Sequence, residues 1–301
     1  MSVLTSTRAT TTSLAGRAQG GERSPASMIF LLALWFSLLV AFFVLITLII
    51  TTAIEGAGRL DGRLLTEYTS ATPESAGARA AILGSIWVIG VTAVLTIPLG
   101  IAAAIHLEEF ADNSKWYNRF IEVNIQNLAA VPAIIYGMLA LGLLALLGVQ
   151  NKNIVIGGAI ALGLLILPVI IIATRESLRA VPQEIRHGSL ALGATEWQTV
   201  QRQTLPNAVP GIATGTILAL SRALGEAAPL LLLGGLVYVT FDPNGLASGF
   251  TTMPIQIFNW TGRPQLEFRE LAAAASILLL GMLLMMNALA IFIRNKYQRR
   301  W

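Results

Sequence analysis

The chain contains no cysteine. That excludes disulfides, thiolate metal sites and cysteine nucleophiles, and it leaves the compartment open. The two histidines, His106 and His187, are too far apart in sequence to form a local metal pair. Lysine is confined to Lys115, Lys152 and Lys296, and none follows a glycine. A phosphate-cradling Gly-Lys loop is therefore absent, and ATP cannot be bound and hydrolysed by that device. No Ser-His-Asp set or pair of carboxylates points to an enzyme, and no cofactor is required. Glu108 and Glu109 follow a helix end and read as a solvated turn.

Charge of either sign is scarce. Only 12% of the 301 residues are charged, against about 25% in an ordinary soluble domain. Apolar residues make up 55%. In water such a chain would leave large apolar patches uncovered, so lipid must be its solvent. The net charge is +4 and the pI about 9.8. On a soluble chain that balance would raise nucleic acid as a partner. Here the basic residues sit in connections and at the tail, where membrane orientation accounts for them and no nucleic acid is needed.

What is present is a series of long apolar runs. A membrane-spanning helix needs about 20 mostly apolar residues, and six segments qualify: Met28–Ile54, Ile82–Ile105, Leu128–Gly148, Ile154–Thr174, Gly211–Val239 and Leu271–Ile293. The expectation is an all-α polytopic protein with six transmembrane helices, because a lipid-exposed backbone must satisfy its own hydrogen bonds. Barrel strands are about ten residues long with alternating polarity, which these runs do not show. The spacings Gly157–Ala161 and Gly211–Gly215 would let helices approach closely.

The segments divide the chain as follows. Residues 1–27, rich in Ser, Thr, Ala and Gly, read as a disordered tail. The run from Met28 is too long for a signal-peptide core and reads as an uncleaved anchor, with an outer segment to residue 81. A core runs over 82–294, and 295–301 form a basic tail. With the N-terminus inside, thirteen of the twenty Lys and Arg fall on the inner side and six on the outer, with Arg222 inside a helix. Both termini are therefore expected to be cytoplasmic. Two outer segments, near 55–81 and 240–270, are long enough for structure of their own.

The longest inner connection is the most unusual. Between Ala180 and Ile212 the apolar residues Ile185, Leu190, Leu192, Trp197, Val200 and Leu205 are scattered among polar ones. Two short helices joined at Gly193 fit this pattern, with Pro206 and Pro210 stopping the second before the membrane is re-entered. One reading is an amphipathic connector lying on the membrane surface. The other is a docking element with Trp197 as the aromatic anchor that fills a partner's pocket.

This connection resembles the Glu-Ala-Ala signature of permease subunits of bacterial ABC importers. His187-Gly188-Ser189 stand at the Glu-Ala-Ala places, Gly193 at the glycine, Gln203 at the isoleucine and Leu205-Pro206 at the Leu-Pro. The initial Glu is absent, whereas the spacing from Gly193 to Pro206 is kept. The resemblance implies a type I importer permease fold. It also implies that the loop over 182–206 is a coupling helix inserting into an ATPase subunit, with His187, Gly193, Ala194, Trp197, Leu205 and Pro206 at the contact.

Further motifs are similar to those of the PstA-type permeases of phosphate importers, and the sister PstC type shares much of the pattern. They are Ile97-Pro98-Leu99-Gly100 through His106-Leu107-Glu108-Glu109-Phe110-Ala111, then Asn124 through Gly137, and Ser221-Arg222-Ala223-Leu224-Gly225-Glu226-Ala227-Ala228-Pro229. The implied partners are a second PstC-like permease, two ATPase subunits and an extracytoplasmic phosphate-binding protein, with phosphate as substrate. The alternatives are a permease for another anion, a secondary transporter using an Arg–Glu relay, and a signalling scaffold.

Arg222 and Glu226 stand four residues apart inside an apolar run. A charge at the bilayer centre costs about 2.5–3.5 kcal/mol on insertion scales, so both need a polar interior. On one helix they would share a face within ion-pair reach. Two readings follow: a buried pair that holds the helix in register, or a transient anion site in which Arg222 offers its planar fork of donors. In the second reading Glu226 weakens the site enough for release and accepts a hydrogen bond from a protonated anion. Ser221, Asn127 and Tyr136 are expected to line the same pathway, with Asn124 and Gln126 beside them. Helix capping and interhelical hydrogen bonds are the other use for these polar groups.

Overall fold

A computed structural model describes residues 25–112, 114–235 and 238–297. Most of both expected tails, with Arg8, Arg17, Arg23, Arg299 and Arg300, lies outside them. The described residues form helices throughout, apart from loops and one isolated antiparallel bridge between Ile154 and Gly249. The chain divides into two compact units, Met1–Thr51 and Thr52–Trp301. The described part of the first is the solidly apolar body of helix α1 (Pro25–Gly56).

The second unit contains the remaining helices. The short α2 (Gly62–Thr66), capped by Asp61, precedes the long α3 (Arg79–Ile105), which ends in a π-helical turn at His106–Phe110. Then come α4 (Trp116–Ala129), α5 (Ala133–Leu146) and α6 (Val155–Arg179). Two short helices, α7 (Gln183–Ala191) and α8 (Glu196–Thr199), lead through a second π turn, Val200–Thr204, into α9 (Leu205–Leu224). The chain finishes with α10 (Ala228–Leu232), α11 (Met253–Thr261) and α12 (Leu266–Tyr297).

Four described helices are long and apolar enough to cross a membrane: Ser27–Arg59, Arg79–Phe110, Val155–Arg179 and Leu266–Lys296. They correspond to the first, second, fourth and sixth expected spans. The other two expectations need correction. In place of one span over Leu128–Gly148 there are two helices, α4 and α5, bent by 114° at the break and counting as a fifth crossing if taken together. The cause is Pro132, which has no N–H to donate and disfavours helical backbone at Val131. The run Gly211–Val239 is also divided. Its helix begins earlier, at Leu205, and stops at Leu224. Gly225 caps it, and Pro229 lacks the N–H that a continuous helix would donate to the Gly225 carbonyl. At about 1.5 Å per residue the 20 residues of α9 could reach about 30 Å. Asn207, Thr214, Thr216, Ser221 and Arg222 make it less apolar than the four.

The prolines after the connection between α6 and α9 behave differently from expectation. Neither Pro206 nor Pro210 stops the second short helix. Helical backbone runs without interruption from Glu196 to Leu224. Pro206 sits in the first turn of α9, where a missing N–H costs little. The π turn before it closes with the Leu205 N–H donating to the Val200 carbonyl.

The central core is built where α3, α5, α6, α9 and α10 meet, around Val88, Tyr136, Leu162, Ile166, Ala219, Leu224 and Leu230. The small residues expected at Gly211 and Gly215 are what let α9 lie directly on α6. A Cβ added at Gly211 would stand 2.5 Å from Ser177 Oγ, and one at Gly215 would stand 2.4 Å from Ala173 Cβ. A second cluster, with Leu64, Met253, Trp260, Phe268 and Leu271, closes the end of the bundle where α3 begins. There Arg79 donates to both oxygens of Asp242, at 3.1 and 2.6 Å.

Candidate functional site

Two breaks in the chain face each other. The α4–α5 bend carries Asn127 and Tyr136, and the α9–α10 break carries Arg222 and Glu226. Gly137 brings them together, since a Cβ there would fall 2.5 Å from the Pro229 carbonyl oxygen. Tyr136 is buried, 2% exposed, and its hydroxyl donates to the Leu128 carbonyl across the bend.

The expected i,i+4 pair does not form. Arg222 is in the last turn of α9, but Glu226 lies beyond the helix end, so the two no longer share a helical face. Among the described residues neither side chain has a hydrogen bond or an ion pair. Arg222 is exposed and Glu226 half-buried. The reading in which the pair simply holds the helix in register therefore loses its basis. Asn127 is exposed near the end of α4. Asn124 is satisfied within its own helix, donating to the Phe120 carbonyl at 2.8 Å.

Ser221 faces another way. Its hydroxyl bonds to the Ile217 carbonyl at 2.8 Å and to Asn287 Oδ1 of α12 at 2.5 Å. Asn287 did not figure among the candidates from sequence. A lone amide inside the apolar run of α12 was the available signal. A groove of about 560 Å³ adjoins the α9–α10 break, lined by Gly225, Ala227, Pro254, Phe258 and Leu283 among others.

The connection between α6 and α9 forms the second constellation. Gly193 adopts a left-handed backbone (φ +84°) and closes α7, its N–H donating to the Leu190 carbonyl at 2.9 Å. Thr195 and Gln198 then cap α8 reciprocally, at 3.2 and 3.0 Å. The expected turn at Gly193 is thus present with a short helix before it, while the helix after it is the start of the continuous run into α9. His187 is exposed on α7 and Ala194 half-buried after the turn. Trp197 is 57% exposed and touches Phe110 with ring centroids 6.1 Å apart. Leu205 sits deeper, packed with Leu178, Val181, Ala208 and Ile212, while Pro206 is exposed. Leu192 at the tip, one of the scattered apolar residues but absent from the expected contacts, is 91% exposed. A cleft of about 390 Å³ runs along this surface between Glu184, Gly188, Leu192 and Gln198.

Glu108 and Glu109 are not a solvated turn. Glu108 accepts from Arg175 Nε at 2.9 Å and from Arg179 Nε at 2.7 Å. Glu109 accepts from Arg186 Nη2 at 2.9 Å. Arg175 also donates to Glu122 of α4 at 2.9 Å. Arg186 further donates to the Leu178 and Val181 carbonyls, at 2.7 and 2.8 Å. The turn is ordered because its carboxylates are the counter-ions of arginines on α6 and α7.

Comparison with known proteins yields a consistent set. Residues 96–301 match the family described as the binding-protein-dependent transport system inner membrane component. The chain is 35% identical over 206 residues to the probable ABC transporter permease protein YqgI of Bacillus subtilis, covering 68% of this chain and 69% of that one. It is 32% identical over 269 residues to the phosphate transport system permease protein PstA of Yersinia pestis, covering 87% and 88%. Among solved structures, a chain of the bacterial alginate ABC transporter superposes with a TM-score of 0.65 at 14% identity, covering 92% of this chain and 99% of that one. A chain of the MetNI methionine ABC transporter gives 0.56 at 19% identity, covering 73% and 97%. These two likenesses carry the fold.

Proposed function

Because the chain belongs to the inner membrane components of binding-protein-dependent transport systems, we propose that it is the membrane-spanning permease subunit of an ATP-driven importer of inorganic phosphate. Likeness to PstA over most of both chains supports this reading. The observation that carries it in the structure is Arg222, an arginine without a protein partner among the described residues, beside a break in α9. Unpaired charge in a membrane protein is costly unless something meets it. A guanidinium presents a fork of donors that fits two oxygens of a phosphate.

The chemistry follows from the broken helix. Since Glu226 is not held by Arg222, both are free to turn to the same ligand. Arg222 would donate to the anion's oxygens. Glu226 would accept a hydrogen bond from the proton that phosphate keeps near neutral pH, and would repel fully ionised sulfate. A cation offset by a nearby carboxylate makes a shallow site, which passage requires. Asn127 would complete the polar lining. Tyr136, expected there from sequence, is buried in the core with its hydroxyl held by the Leu128 carbonyl, so it braces the α4–α5 bend instead. Ser221 would steady α9 against α12 through Asn287.

The loop over 182–206 is assigned to docking an ATPase, with Trp197, His187, Gly193, Ala194 and the exposed Leu192 at the contact and Leu205-Pro206 at its root. Both termini would then be cytoplasmic. Transport would need a second permease, two ATPase subunits and an extracytoplasmic phosphate-binding protein. A secondary transporter with an Arg–Glu relay lacks support, since the relay pair does not form. The test is phosphate uptake in cells carrying Arg222→Gln, with ATPase assembly measured in parallel. Uptake should be lost with assembly intact, and retained uptake would remove Arg222 from the pathway.

A further inference from the structure

The docking loop has two connections to the helices around Arg222. One is covalent: α8 runs through Val200–Thr204 into α9, which ends beside Arg222. The other consists of side-chain contacts. Arg186 of α7 holds Glu109 at 2.9 Å, and Trp197 of α8 rests on Phe110. Both contacts grip the π turn His106–Phe110 at the end of α3. One residue earlier, Glu108 holds Arg175 of α6, which also holds Glu122 of α4. From there α4 leads across the bend to α5, and the Tyr136 hydroxyl bridges that bend to Leu128. On α5, Gly137 lies against the segment just past the α9–α10 break, where an added Cβ would stand 2.5 Å from the Pro229 carbonyl oxygen. Two routes from one loop therefore arrive at the break beside Arg222.

The second route is built from sheltered groups. The side chains of Arg186 and Glu109 are 13% and 9% exposed, and that of Arg175 is 7% exposed. Ion pairs this buried are little screened by salt and, with their hydrogen bonds satisfied, hold one geometry. The joint they act on is a π turn, closed by the Ala111 N–H donating to the His106 carbonyl at 2.9 Å. Such single-turn π segments recur at functional sites and mark places where a helix departs from its regular winding.

We infer that the Glu109–Arg186 contact is a transmission point: it makes the π turn His106–Phe110 travel with the docking loop, so that loop motion reaches the Arg222 site through α4 and α5 as well as through α9. Glu109 and Arg186 are positioning residues and touch neither ATP nor the transported anion. The inference rests on the reading above, in which the loop docks an ATPase and Arg222 meets phosphate.

The test measures phosphate moved per ATP hydrolysed in the complete reconstituted importer. The wild-type complex tests the phosphate reading by itself, since it must accumulate phosphate at all. Glu109→Gln should keep the ATPase bound and hydrolysing while the ratio falls at least about fivefold, the low end of coupling between sites. Because the chain has no cysteine, Glu109→Cys with Arg186→Cys introduces its only two thiols. Joining them with a bis-methanethiosulfonate spacer should restore the ratio towards wild type, and a reductant should abolish the recovery. An unchanged ratio in Glu109→Gln would overturn the inference. So would equal ratios with and without the tether, or a loss of bound ATPase that fully accounts for the lost transport.

Discussion

Arg175, in the C-terminal part of α6, and Arg222, in the last turn of α9, are both arginines on helices of a membrane protein, and the molecule treats them in opposite ways. Arg175 is 7% exposed at its side chain and bonded to two carboxylates, Glu108 and Glu122. Arg222 is exposed and has no partner among the described residues. Removing a charge from water is costly, and the cost is recovered only where counter-ions and hydrogen bonds saturate the group. A saturated arginine has nothing left to offer a ligand. An unsaturated one beside a helix break is available to an anion. The contrast separates an arginine that holds the bundle together from one that is free to bind.

That contrast breaks first, and most visibly, under substitution of the saturated member. Arg175→Met leaves Glu122 without its closest counter-ion and Glu108 with Arg179 alone. A loss of about 3–5 kcal/mol is expected, as for other buried pairs deprived of one partner, and thermal unfolding of the purified chain in detergent would show it. Arg222→Gln should move the same transition by no more than about 0.5 kcal/mol, like a surface change away from any buried network, while abolishing uptake. Equal destabilisation by both substitutions would erase the distinction.

Glu226 sharpens it further. If its role is to discriminate among anions, Glu226→Gln should remove the repulsion of sulfate while leaving Arg222 able to bind. The ratio of phosphate to sulfate transport in reconstituted vesicles would then fall by about tenfold, the equivalent of about 1.4 kcal/mol. A wild-type complex that carries both anions equally would deny Glu226 this role.

The sequence carried the long helices well, because α1, α3, α6 and α12 are apolar over their whole crossing length and need no tertiary help to be recognised. It carried the turn at Gly193, whereas Pro206, read as a stop, lies within an uninterrupted helical run. The two breaks were legible in principle. Pro132 and the Gly225–Pro229 interval both sit inside runs that read as continuous, but hydropathy outweighed backbone chemistry there. That misreading also created the Arg222–Glu226 pair, since an i,i+4 relation exists only where the helix persists. The carboxylate–arginine network was not legible. Glu108 lies 67 residues from Arg175 and Glu109 lies 77 from Arg186, and nothing local distinguishes a counter-ion from a solvated turn.

The smallest expected effect lies at the opposite end of α3, where Arg79 and Asp242 form a bidentate pair that is still partly open to water, with side chains 42% and 31% exposed. The hydrogen bonds from Arg79 hold the Asp242 carboxyl below its usual value; burial pushes the other way, and the Arg79 charge and then a hydrogen bond from Tyr68 add to the lowering. A carboxyl whose folded value is depressed contributes stability that is present above its unfolded value, near 3.9 for Asp. That contribution is lost as pH falls through the folded value. Wild type and Asp242→Asn should therefore differ slightly in melting temperature at neutral pH and converge in acid below about pH 3.9. High salt should narrow the neutral-pH difference, because pairs this exposed are screened. The Arg175 pairs, sheltered from solvent, should keep their contribution in the same salt series, which places the two ends of α3 on opposite sides of the same comparison.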